Sequence, residues 1–271
     1  MKLTKVAVIA LVSTVGLSGL AATANAAVNE SVPTKGKVEF KAPTNPTGPV
    51  VKPDTEDTEI ETEGGHTTGT LRIEHAPHIN FGKVIYRAGN QTFQANNESY
   101  TYTSGAVTET QYISNFLQVT DERGIEAEWA VTVSSTVLTA SATDKLDNTK
   151  IVLKEQKLTN NVFDYVVPAS TSDRITGFSG SAIEIPTDGT NSVEILKTKA
   201  GKSTNGSKSS IVFNSAYTES TNYVAPQDPT NETDAPIGKN SGITLVKPQS
   251  DSVNVGKVYQ ADLVWTISSA I

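Results

Sequence analysis

The sequence predicts an all-β fold, an antiparallel β-sandwich with Greek-key-like connections, preceded by a disordered Pro-rich acidic linker. Three observations predict it. Apolar residues alternate with polar ones over short runs, the pattern of strands with one buried face. Gly, Asn, Asp and Pro separate these runs at short intervals. Stretches with the 3.6-residue period of an amphipathic helix are scarce.

The first element, residues 1–26, has Lys2 and Lys5 at its start, an apolar run from Val6 to Leu20, and Ala24-Asn25-Ala26 at its end. Small residues at positions −3 and −1 predict a secretory signal peptide cut after Ala26. Ser13, Thr14, Gly16, Ser18 and Gly19 break the run, which is short for an anchor needing about 20 apolar residues. No membrane span is expected after cleavage.

Residues 27–65 hold five of the 12 prolines (Pro33, Pro43, Pro46, Pro49 and Pro53) and then the acidic series Asp54, Glu56, Asp57, Glu59, Glu61 and Glu63. Proline stiffness and like-charge repulsion favour an extended linker, with Gly64-Gly65 as the hinge. It reads as a solvated spacer, or as a docking segment for a basic partner.

Residues 66–271 read as one β domain. Strands are expected at 70–74, 84–86, 116–120, 129–133, 151–153, 193–196, 211–213, 243–246 and 260–268. Asp188-Gly189 and Asn205-Gly206 supply positive φ at low cost and mark hairpins or loops. The polar stretch 217–241, with Pro226, Pro229 and Pro236, is the expected long surface loop. No solenoid repeat is present.

Composition narrows the function. At 271 residues, with 37% apolar and 19% charged residues, the chain can bury a core and fits one large domain or two small ones. The absence of Cys excludes a disulfide scaffold, a Cys-liganded zinc, an iron–sulfur cluster and a thiol nucleophile. With 22 basic against 29 acidic residues, the net charge of −7 argues against holding a polyanion, so nucleic acid is not an expected partner.

The two tryptophans each lie in a run of period two. Ala127, Trp129, Val131 and Val133 share one face, as do Tyr259, Ala261, Leu263, Trp265 and Ile267. Trp129-Ala130-Val131, preceded by Val119-Thr120-Asp121-Glu122-Arg123-Gly124, and the terminal segment from Tyr259 through Leu263 and Trp265 to Ile267 resemble the WxL domain of Gram-positive surface proteins. Gly69-Thr70-Leu71-Arg72-Ile73 and Phe81-Gly82 resemble the start of that domain. The resemblance covers the signal peptide and residues 66–271. It departs from the pattern at Val131 and Ile267, where the family name has Leu, a swap that keeps the burial chemistry of a strand.

The resemblance implies a secreted, non-enzymatic protein on the cell wall of a Gram-positive bacterium. Its C-terminal domain would attach non-covalently to peptidoglycan as a structural or adhesion component of a surface complex. Implied partners are WxL-interacting proteins and small wall-anchored surface proteins. The chain shows no sorting motif after Trp265, which also fits non-covalent attachment. The alternative is a module bound to a partner surface protein or host extracellular matrix through edge-strand pairing. The candidate binding motifs are Trp129, Val131, Tyr259, Leu263, Trp265 and Ile267. Their Trp rings either stack on glycan sugars or form core, and the alternation favours core.

No catalytic residue, metal site or cofactor is expected. His75-Ala76-Pro77-His78 reads as a surface loop rather than a metal pair, because Pro77 discourages the helix that would align the rings and no H-E-x-x-H pattern occurs. No G-x-S-x-G elbow is present. Carboxylate pairs for glycoside hydrolysis depend on spatial separation that sequence does not give. Asp144, Asp147 and Asn148, or Asp188 and Asn191, carry loop oxygens of the kind that bind calcium, yet neither set matches the EF-hand pattern. Asp121-Glu122-Arg123-Gly124 reads as a hairpin turn, with Gly124 at positive φ.

Overall fold

Short extended runs with alternating burial make strands, and strands make almost all of the regular structure. The computed structural model describes residues 35–39, 41, 47–165, 171–227 and 237–269. The expected signal peptide lies outside the described residues, as do residues 27–34, 40 and 42–46 of the expected linker. Residues 35–39 and 41, in a unit of their own (Met1–Lys41), are irregular and exposed. Every strand given below belongs to the unit Ala42–Ile271.

In chain order the strands begin with β1 (Val50–Val51), β2 (Glu59–Thr62), β3 (Leu71–His75), β4 (Gln91–Asn96), β5 (Glu98–Ser104) and β6 (Val107–Ile113). Next come β7 (Phe116–Asp121), β8 (Trp129–Ser135), β9 (Leu138–Thr139), β10 (Lys145–Leu146), β11 (Lys150–Lys154) and β12 (Gln156–Asn160). A single helical turn, α1 (Thr171–Arg174), precedes β13 (Ile175–Gly177), β14 (Ala182–Glu184) and β15 (Val193–Thr198). The series ends with β16 (Ser207–Phe213), β17 (Lys239–Lys247) and β18 (Leu263–Ser269).

These strands form four sheets of four strands, ordered β1-β2-β5-β6, β12-β16-β7-β3, β14-β11-β17-β4 and β13-β15-β8-β18, plus the ribbon β9-β10. Neighbours such as β7 and β16, or β8 and β18, are far apart in sequence and antiparallel. Such pairing requires long connections between strands that are neighbours in one sheet. The all-β antiparallel class is thus the observed one.

The layering is richer than a simple sandwich, because the sheet containing β7 is buried on both faces. Every residue of β7 is buried. Leu117 and Val119, with Ile73, Ile211 and Phe213, join the large core shared with Trp129, Val131, Val133, Ile151, Leu153 and Ile243. Phe116 and Val212 point the other way, into a second core with Ile60, Tyr100, Ile113 and Tyr217.

That second core corrects the expected linker boundary. Residues 50–62, read as acidic spacer, contribute β1 and β2 to the covering sheet, with Val51 and Ile60 buried. Gln118 fixes the segment from the central sheet: its Oε1 accepts from Val51 N at 2.9 Å and its Nε2 donates to Val51 O at 2.7 Å. Glu59 and Glu61 project outward around inward Ile60, so the charges hid a period-two strand with one apolar residue.

Three further expectations change. Residues 84–86 form no strand, because Gln91 satisfies this stretch through Arg87 N and Ile85 O in place of a neighbouring strand, leaving Val84 and Tyr86 exposed. Residues 217–241 do not begin as a surface loop: Tyr217 is buried, stacks on Tyr223 and donates its hydroxyl to Pro53 O at 3.0 Å. The stretch also ends early, since β17 starts at Lys239. His75 is buried on β3 rather than looped out, between Thr62 Oγ1 at 2.9 Å and Glu98 at 3.2 Å, with its ring 4.3 Å from that of Phe116.

Candidate functional site: the paired tryptophan motifs

The two Trp-containing runs hydrogen-bond to each other. In the β8/β18 ladder Ser269 faces Trp129, Ile267 faces Val131, Trp265 faces Val133, and Leu263 faces Ser135. Directly opposed residues of an antiparallel pair share a face, so both motifs build one apolar surface against the large core. Four residues separate the Trp129 and Trp265 rungs, about 13 Å at ~3.3 Å per residue.

The two halves differ in burial. Trp129 is 1% exposed and Val131 and Val133 are 0% exposed. The Trp129 indole Nε1 donates to Thr204 Oγ1 at 2.8 Å, and its backbone N donates to Thr198 Oγ1 at 2.9 Å. The Trp129 ring therefore offers no face to a glycan. Trp265, Ile267, Leu263 and Tyr259 are half-buried and pack against the same core, because β18 is the last strand of its sheet. The outward residues of β18 are Val264, Thr266 and Ser268. Asp262 and Thr136 tie the entry to β18 through two hydrogen bonds, and the Tyr259 hydroxyl accepts from Asn254 N at 3.0 Å.

Asp121-Glu122-Arg123-Gly124 is not a hairpin turn. Strand β7 pairs with β3 and β16, while β8 pairs with β15 and β18, so these residues carry the chain from one sheet to the next. Gly124 does take the expected positive φ, 72°. Arg123 clamps the crossing: its Nε and Nη2 each donate at 2.9 Å to the carboxylate of fully buried Asp121. It also donates to the carbonyls of Ala127 at 2.7 Å and Glu128 at 3.3 Å, directly before Trp129. The family-like segment thus positions the start of β8.

Next to the clamp lies a buried charge network that the sequence pattern concealed. Arg72, 1% exposed, donates to Glu74 Oε2 at 2.9 Å, Glu122 Oε2 at 2.7 Å and Gly69 O at 3.0 Å. Lys208 Nζ reaches Glu74 Oε2 at 2.8 Å, and Thr120 Oγ1 donates to the same oxygen. Burial pushes the Glu74 carboxyl up, but hydrogen bonds from Lys208 and Thr120 and the charges of Lys208 and Arg72 outweigh it and hold the group below its ordinary range. Arg72 and Glu74 alternate with apolar Leu71 and Ile73, which reads as a solvent face only if the sheet is covered on one side.

Among the described residues no three His, Asp or Glu side chains gather to hold a metal ion. Among the described residues no helix is long and apolar enough to cross a membrane.

The model of the WxL domain surface cell wall-binding family matches residues 27–270. The match includes the acidic lead as well as both Trp motifs. No curated protein and no solved structure shows significant similarity to the chain. The family is one of cell-surface binding domains, not of enzymes, and it implies binding to cell-wall components at the cell surface. With its two tryptophan motifs zipped into one strand pair and the family match running over nearly its whole length, this chain belongs to the WxL domain surface cell wall-binding family.

Proposed function

We propose that the mature chain is an exported, non-enzymatic surface protein of a Gram-positive cell, held non-covalently on peptidoglycan by its β domain. The carrying observation is the β8/β18 register, which makes the two family motifs a single structural unit. On this reading the motifs serve wall attachment by holding the domain's shape, since Trp129 is core and Trp265 packs inward from the edge strand. The contact with glycan or stem peptide is then made by surface that this pair supports.

The test is co-sedimentation of residues 27–271 with purified, protein-free peptidoglycan sacculi. Saturable retention that resists washing is expected, and a chain left in the supernatant at every load would overturn the reading.

One observation supports a second reading: among the described residues β18 pairs with β8 alone, and an outer edge of that kind can accept a partner's strand. Attachment would then run through a WxL-interacting or small wall-anchored protein, or through host matrix. It predicts retention on partner-bearing cells and none on stripped sacculi.

A further inference from the structure

Strand β18 is a sheet edge without the devices that keep edges from pairing. It is seven residues long, holds no charged residue and no proline, and keeps an unbroken register with β8 from Leu263 to Ser269. The other edges of the four-stranded sheets are blunted. Strands β1, β13 and β14 are two or three residues long, β6 and β12 carry Glu109 and Lys157, and β3 is capped by Thr67, whose N donates to Ile73 O. In β4 the N–H of Asn96 is taken by Asn80 O.

The ladder with β8 fixes where the free backbone groups of β18 point. Asp262 O accepts from Thr136 N in the same register, so Asp262, Val264, Thr266 and Ser268 turn their N–H and C=O groups toward β8. Ser135, which faces Leu263, donates to Pro186 O and accepts from Gly189 N, away from β18. Leu263, Trp265, Ile267 and Ser269 therefore aim their N–H and C=O groups outward, where no backbone group among the described residues meets them. The side chains of Leu263, Trp265 and Ile267 pack inward on the core yet stay half-buried.

The residues of the strand select its occupant. Two copies of β18 placed antiparallel about Thr266 set Trp265 opposite Ile267, Leu263 opposite Ser269, and Val264 opposite Ser268. Residues of one face then meet residues of the same face, and the outward-aimed groups all fall in hydrogen-bonded pairs, about eight bonds in total. Trp265 gains a β-branched cross-strand neighbour on the side where its own sheet ends. Charge points to the same place. With 22 basic and 29 acidic residues, two copies carry a net repulsion, whereas this strand opposes no like charges and its outward Val264 is 54% exposed.

We infer that the β18 edge is an interface between two copies of this chain, joined antiparallel about a two-fold axis at Thr266 into one continuous sheet. The inference rests on the strand-accepting edge of the second reading and names a second copy as its occupant. The pair presents two wall-attachment domains to one wall, where the second contact forms at high local concentration.

The test uses residues 27–271, free of wall and of other proteins. At the axis Thr266 faces its own copy as a non-hydrogen-bonded pair, with Cα atoms about 4.5 Å apart, a separation that a disulfide spans. The chain holds no Cys, so Thr266→Cys adds a lone thiol at an exposed position. Val264→Cys is the control, because the same register sets its two copies about 13 Å apart. Sedimentation velocity is expected to show a concentration-dependent monomer–dimer equilibrium in the wild type, weakened about fivefold in Thr266→Glu by the like charges it opposes. Under oxidised glutathione, Thr266→Cys is expected to become a covalent dimer while Val264→Cys stays monomeric. Circular dichroism checks the fold, and the cysteine variants decide if Thr266→Glu unfolds. A wild type that is monomeric at every concentration, a dimer unchanged in a folded Thr266→Glu, or equal cross-linking of the two cysteine variants overturns the inference. Each of these results leaves the second reading to its own test, retention on partner-bearing cells.

Discussion

Truncating the two tryptophans is expected to have unequal consequences. Trp129 is wholly enclosed, so Trp129→Ala removes about 200 Å² of buried aromatic surface, which at about 25 cal/mol per Å² amounts to about 5 kcal/mol. Measured Trp truncations in cores cost about 3–5 kcal/mol, and here Thr204 also loses its indole donor. Trp265 lies half-buried on an edge strand, so Trp265→Ala is expected to cost about half as much, roughly 2 kcal/mol. Since domains hold only about 5–15 kcal/mol, Trp129→Ala can unfold the chain outright. Trp129→Phe keeps most of the ring, loses the Thr204 bond and gives a graded loss of about 1–2 kcal/mol. Urea unfolding followed by circular dichroism measures each midpoint at constant slope. Single-Trp variants add a second reading, with Trp129 emission blue-shifted and shielded from acrylamide, and Trp265 more accessible. A Trp265→Ala cost equal to or above that of Trp129→Ala, or a Trp129→Ala cost below about 1 kcal/mol, would refute the burial argument.

Other consequences are equally concrete. Arg123→Ala leaves the buried Asp121 carboxylate unpaired and should cost about 3–5 kcal/mol in the same urea assay, with much of the loss recovered in Arg123→Ala/Asp121→Asn. Gln118→Leu breaks both bonds to Val51, and hydrogen exchange in β1 and β2 should accelerate while β8 stays protected. The folded Glu74 carboxyl titrates below its ordinary value of 4.5, so the unfolded chain takes up that proton first as pH falls. Its stabilisation is present above pH 4.5 and is lost as pH drops through the folded value, and Glu74→Gln should flatten this acid limb of a Tm-against-pH curve. Burial raises the Tyr217 phenol, so unfolding that favours the phenolate should set in above its ordinary value of 10.0, and Tyr217→Phe should weaken that alkaline limb.

Much of the fold was legible because half-buried strands announce themselves. The expected runs around Leu117, Trp129, Ile151, Leu196, Ile211, Ile243 and Trp265 all lie in strands, and around Trp129 and Trp265 the alternation also places their burial. The missed strands share a physical cause. Strands β5 and β6 are rich in Thr and Glu and expose most of β6, so little apolar periodicity marks them. Strand β2 buries only Ile60 among outward glutamates, and charge counting turned it into linker. Doubly covered β7 breaks the rule of one wet face, so the burial of Gln118 and of the Arg72 network leaves no signal in the alternation.

At the site, the sequence pattern placed Trp129 and Trp265 on inward faces. It did not reveal that their strands pair, because partners 132 and 136 positions apart leave no local signal; the ladder itself sets Val133 against Trp265 and Val131 against Ile267. The Arg123 clamp was hidden by a segment whose composition matches a turn. Only the pairing of β7 and β8 with different neighbours shows it to be a crossing between sheets.

The central claim, that the paired motifs serve wall attachment through the integrity of the domain, is tested most directly by one correlated measurement. Retention on purified sacculi and folded fraction are determined together for the wild type, Trp129→Phe, Trp265→Ala and Val131→Ala across a urea series. Retention that follows folded fraction on a single curve for all four chains is the predicted result. A fully folded Trp265→Ala that no longer sediments with sacculi would contradict the account and place the Trp265 ring in the contact itself.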